Sequence, residues 1–127
     1  MVDFRPEDFL IVAELIKRTL ERSDNWISSH PRAWMRTAIS RAYYAAFLTI
    51  KKKFPKEVGL GRDVHKKAAD LLKQFHRFLA YQRFMSLRKI RNQADYDLPP
   101  EYVVSLKDVR IAIELAHFVI KEVKKLP

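Results

Sequence analysis

The chain has 127 residues, no cysteine, and 25 lysines and arginines against 15 aspartates and glutamates, a formal net charge of +10. That length suits one domain burying roughly two-thirds of its unfolded surface, and the missing cysteines exclude disulfides and thiolate metal sites. Two glycines are too few for a glycine-rich phosphate loop, a dinucleotide-binding turn or a nucleophile elbow.

Apolar residues recur at three- and four-residue spacing throughout, with no convincing period-two stretch. A first helix opens at Pro6, with Glu7 and Asp8 on the positive end of its dipole. Its apolar face is expected at Phe9, Val12, Leu15, Ile16 and Leu20, ending near Ser23-Asp24, with a loop through Trp26 and Ser29. The second helix runs from Pro31 to about Phe54 and is the most apolar, with Met35, Ala38, Ile39, Ala42, Ala45, Ala46, Phe47 and Ile50 covering a wide arc. Pro55 and Gly59-Leu60-Gly61 end it. Asp63 is expected to cap a third helix carrying Val64, Ala68, Leu71, Leu72 and Phe75. A fourth spans roughly Ala80 to Ala94, and no glycine or proline marks the break before it. After the loop Asp97-Leu98-Pro99-Pro100, Ser105 and Asp108 form a capping box that opens the last helix. The expected fold is all-α, an antiparallel up-and-down bundle of four to five helices in a single domain over 1–127.

No apolar run is long enough to span a bilayer, and the first residues lack a signal-peptide core, so a soluble cytoplasmic protein with no membrane partner is expected. The positive charge suits a nucleic-acid or nucleotide partner, although a basic solvated surface gives the same count. His30, His65, His76 and His117 have no metal-ligand spacing, so neither a metal site nor a cofactor is expected.

Two segments stand apart from the amphipathic background. Ser40-Arg41-Ala42-Tyr43-Tyr44-Ala45-Ala46-Phe47 places a cation and two phenols in the most apolar helix. These are either binding groups, Arg41 and Tyr44 foremost, or core aromatics beside an arginine paired with a buried acid. In Leu87-Arg88-Lys89-Ile90-Arg91-Asn92-Gln93-Ala94-Asp95-Tyr96, the positions Arg88, Arg91 and Asp95 fall on one helical face. Such a cluster can grip a phosphate. It can equally be an Arg91–Asp95 ion pair closing its own helix, with Tyr96 packed under the proline loop.

Three stretches together resemble the prokaryotic HEPN family: Ser40-Arg41-Ala42-Tyr43-Tyr44-Ala45, His65 at a helix start, and Arg91-Asn92-Gln93-Ala94-Asp95-Tyr96. The resemblance implies a homodimer acting on RNA or a nucleotide, often as a metal-independent endoribonuclease toxin paired with a nucleotidyltransferase partner. The family signature is an arginine, a polar residue and then a histidine four to six residues on. Arg91 and Asn92 fit its first half, but Asp95 and Tyr96 stand where the histidine would lie. The resemblance thus implies Arg91, Asn92, Asp95 and Tyr96 as catalytic candidates and Arg41, Tyr44, Arg88 and Arg91 as RNA- or nucleotide-binding candidates. The expected function is a dimeric nucleotide- or RNA-binding module of a toxin–antitoxin system. An active endoribonuclease and a non-catalytic helical scaffold are the alternatives. Arg110 and His117 meet the signature's spacing formally, but Ile111 follows the arginine where a polar residue is needed.

Overall fold

A computed structural model describes residues 5–22, 29–96 and 102–127. The end of the first helix at Ser23 and Asp24, the connection through Trp26 and the loop expected over Asp97-Leu98-Pro99-Pro100 lie outside them. Among the described residues there are six helices and no strand: α1 (Glu7–Arg22), α2 (Pro31–Lys53), α3 (Pro55–Val58), α4 (Val64–Gln74), α5 (Phe78–Tyr96) and α6 (Leu106–Lys124).

Helix α2 is central, packing against α1, α5 and α6. Its alanines 38, 42, 45 and 46 are fully buried, as are Ala13 on α1 and Ala112 and Ala116 on α6. Small residues facing one another let the helices approach at the short end of the usual 8–10 Å separation. Ile39, Ile50, Leu72, Phe84, Leu87 and Val109 fill the remaining core, each worth about 1.5–3 kcal/mol of apolar burial. The buried Thr19 and Thr49 hydroxyls donate to the carbonyls of Leu15 and Ala45, four residues back.

Three departures from the sequence reading have local causes. The face of α1 is shifted in part: Ile16 is buried and Phe9 and Leu20 pack against the core as expected, with Leu10, Ala13 and Thr19 buried beside them, whereas Val12 and Leu15 are 42% and 55% exposed. Three cross-helix contacts accompany the observed phase. Glu7, Glu14 and Glu21 pair with Lys124, His117 and Arg110 of α6, a ladder of seven-residue steps that rises on one helix as it falls on the other. Pro55, expected only to end α2, instead starts the single turn α3 and buries Val58. Asp63 does sit at the N-cap of α4, but its side chain makes no capping bond.

The unmarked break before α5 is a Schellman motif. Arg77 N–H reaches back to Leu72 O at 2.8 Å and His76 N–H to Lys73 O at 2.9 Å. His76 takes the left-handed conformation, φ 58°, usually left to glycine. The capping box of α6 is formed as expected, Asp108 N–H donating to Ser105 Oγ and Ser105 N–H to Asp108 Oδ2. At the other end of α6, the Lys53 ammonium donates to the carbonyls of Val123 (3.0 Å) and Leu126, tying α2 to the negative end of that helix.

Candidate functional site

Consecutive residues on a helix diverge by about 100°, so Tyr43 and Tyr44 leave α2 in different directions. Tyr43 points into the core and is fully buried, stacked on Phe84 (centroids 5.5 Å apart) and Phe47 (6.2 Å). Its hydroxyl meets Nδ1 of His65, one residue into α4, at 2.5 Å, and the imidazole stacks on Phe47 at 4.4 Å. Burial pushes the Tyr43 phenol well above its usual range, despite the opposing charges of Arg88 and Arg91. Burial also lowers the His65 pKa, and Arg88, Arg91 and Lys51 lower it further. Both groups are neutral.

Their proton arrangement follows from that. Among the described residues the Tyr43 hydroxyl has no other hydrogen-bond partner, and a buried donor left unmatched costs about 1–3 kcal/mol. Tyr43 therefore donates to Nδ1, and the ring proton of His65 resides on Nε2. Beside two arginines, His65 is a neutral hydrogen-bond donor and a poor base.

Tyr44 faces α5 and accepts a bond from Arg91 Nη2 at 3.0 Å. Arg91 Nη1 donates to Asn92 Oδ1 at 3.2 Å. Arg91 Nε lies 2.8 Å from Asp95 Oδ2, close enough for an ion pair but without hydrogen-bond alignment. The guanidinium carbon sits 5.3 Å from the centroids of both tyrosine rings, within cation–π range. Only 14% of this side chain is exposed. Arg91 is thus largely enclosed, both terminal nitrogens being hydrogen-bonded while the buried Nε has only its ion-pair contact with Asp95, and the local ion pair is formed. What the residue does is hold Tyr44 and Asp95 in place.

The six other catalytic or binding candidates divide. Asp95, Tyr44 and Arg41 line one opening of about 300 Å³ together with Arg36, Thr37 and Ser40. Arg41 is exposed and lies 5.1 Å over the Phe9 ring; among the described residues it is paired with no acid. Tyr96 is 62% exposed at the end of α5, and Asn92 serves Arg91. Arg88 belongs to a second, larger opening of about 460 Å³, where it joins Arg62, Lys66 and Lys73, with Asp63 and Asp70 on the same walls.

Among the described residues Arg88, Arg62 and Lys66 make no hydrogen bond or ion pair, while Lys73 lies 4.4 Å over the Tyr81 ring. Four cations thus surround a space holding two carboxylates, neither of them ion-paired to a cation there. Sequence reasoning missed Arg62, Lys66 and Lys73; Lys66 and Lys73, seven residues apart, share a face of α4, whereas Arg62 lies in the turn before it. His65 was quoted for the resemblance only; the structure gives it a contact and a protonation state.

Arg110 and His117 form no site, since each is bound to a glutamate of α1. Among the described residues no group of three histidines, cysteines or carboxylates is placed to hold a metal ion, and no helix is long and apolar enough to cross a membrane. No family model matches the chain, and no similar curated protein or solved structure was found.

Proposed function

We propose that this chain is a HEPN-like helical module that binds RNA or a nucleotide through its phosphates, without cleaving it. The observation that carries the reading is the cleft of Arg62, Lys66, Lys73 and Arg88, in which three cations have neither an acid nor a hydrogen-bond partner among the described residues. Arginine and lysine around an open space, in a chain of net charge +10, give the electrostatic attraction that dominates nucleic-acid affinity. Arg88 supplies a planar fork for phosphate oxygens.

The HEPN likeness has its own support. Its three quoted stretches, distant in sequence, are joined in space by two contacts, Tyr43–His65 and Tyr44–Arg91. The opposite order of the α1–α6 ion pairs supports the antiparallel arrangement expected of the bundle. Binding without cleavage is favoured because Arg91 is committed to internal partners and His65 carries its proton on Nε2, away from the role of base. The homodimer, the nucleotidyltransferase partner and the toxin–antitoxin setting are part of the same proposal and rest on the resemblance.

The test is a gel shift with single-stranded RNA and the double variant Lys66→Glu/Arg88→Glu. Wild-type binding with intact RNA, abolished in the variant, is expected. Binding unchanged by the double charge reversal removes the cleft from the account. RNA cleavage in the presence of EDTA, lost in His65→Ala, would replace it with the endoribonuclease reading.

A further inference from the structure

The face that α1 turns away from the core carries a different kind of surface. Ile11, Val12 and Leu15 are 57%, 42% and 55% exposed, unusual for three large apolar side chains on neighbouring turns. Val12 and Leu15, though not Ile11, line a concavity of about 560 Å³ together with Ile16 of α1 and Trp34, Thr37 and Arg41 of α2. The groove lies on the α1–α2 side, whereas the basic cleft is lined by residues 62–88 of α4, α5 and the turn before α4.

Charge says what fits it. Three of the four carboxylates of α1, Glu7, Glu14 and Glu21, are turned to α6 and bound there. Asp8, exposed in the first turn, is the fourth. Further along, the outward stripe through Ile11 and Leu15 continues to the exposed Arg18, and Arg41 stands on the α2 wall. The groove is therefore apolar on its floor and cationic at its edge. A second copy docked through this same face would set Arg18 and Arg41 against the Arg18 and Arg41 of its partner, a local like-charge contact that is unfavourable.

We propose that the α1–α2 groove docks an acidic amphipathic helix of a partner protein. The apolar face of that helix packs on the exposed Val12 and Leu15, and its glutamates or aspartates meet Arg18 and Arg41. Helix-in-groove recognition needs an apolar channel flanked by charges that fix the partner's orientation, and both are present. The proposal is independent of the nucleic-acid reading.

The probe is a labelled synthetic helix of roughly four turns, with leucines spaced three and four residues apart and glutamates elsewhere, followed by anisotropy. Its counterpart carries lysine in place of glutamate. The acidic helix is expected to bind the wild type about tenfold or more tighter than the lysine version, and Leu15→Glu to weaken it about tenfold. Because Leu15 is exposed, that variant keeps the fold, checked by circular dichroism; Arg88→Ala leaves peptide binding unchanged. Four outcomes overturn the proposal: equal affinity for both peptides, indifference to Leu15→Glu, loss of peptide binding in Arg88→Ala, or a free dimer that Leu15→Glu dissociates in sedimentation equilibrium. The last would make the groove's occupant a second copy of this chain.

Discussion

Salt dependence separates a phosphate-binding cleft from a merely basic surface. If Arg62, Lys66, Lys73 and Arg88 each neutralise one phosphate, the slope of log K against log salt for single-stranded RNA is about −0.7 per contact, or about −2.8 in all. Raising KCl from about 50 to 200 mM then weakens binding about 50-fold. Arg88→Ala removes one contact, which costs about tenfold at the lower salt. Its slope becomes about −2.1, so the deficit shrinks to about fourfold at the higher salt. The assay is anisotropy of a labelled oligouridylate across a KCl series. Lys121→Ala, an exposed cation on α6 outside the cleft, removes the same charge elsewhere and serves as the control. Equal effects of the two substitutions, in affinity and in slope, would refute the reasoning, because net charge alone would then account for the binding.

Other substitutions test the parts separately. Arg91→Met strips the donor from Tyr44 and the cation from Asp95, so it is expected to cost about 2 kcal/mol, seen as a melting temperature lower by roughly 6–10 °C. Arg91→Lys should recover little, because an ammonium cannot span the same partners. His65 has its pKa lowered in the folded state by burial and by Arg88, Arg91 and Lys51. The unfolded chain therefore binds the extra proton first, and stability falls as pH drops below about 6.5 toward the folded-state value. His65→Asn should flatten the melting profile in that window. Glu7 acts only at lower pH: burial raises its pKa, but its backbone bond and Lys124 outweigh that and hold it below normal. His76→Gly should raise the melting temperature slightly, since glycine adopts φ 58° without strain, whereas His76→Val should lower it.

Much of the architecture was legible because local chemistry and tertiary packing agree in α2, α4 and α6. Alanine-rich spacing on α2 and the Ser105–Asp108 box on α6 each have one reading. The phase of α1 was legible only in part. Ile11, Val12 and Leu15 are as apolar as Leu10, Ala13 and Ile16, so periodicity alone fits two faces. The observed phase turns Glu7, Glu14 and Glu21 toward partners that lie about a hundred residues away in sequence, which periodicity within α1 does not encode. The α4–α5 break was hidden for another reason: His76 adopts a conformation for which only glycine or asparagine is a strong signal. At the site, the spacing of Arg88, Arg91 and Asp95 puts all three on α5, but Arg88 and Asp95 line different openings. Spacing could not tell that Arg91 would be enclosed by Tyr43, Tyr44, Asn92 and Asp95, while Arg88, one turn earlier, stays open among Arg62, Lys66 and Lys73.

The most direct measurement is an NMR titration of the protein with a short single-stranded RNA, following the arginine and lysine side-chain signals together with the His65 ring. Selective shifts of Arg62, Lys66, Lys73 and Arg88, with the Arg91 guanidinium unmoved and the His65 Nε2 proton retained, are what the account predicts. Shifts spread evenly over the surface cations, or an Arg91 that leaves Tyr44 and Asp95 to follow the ligand, would contradict it.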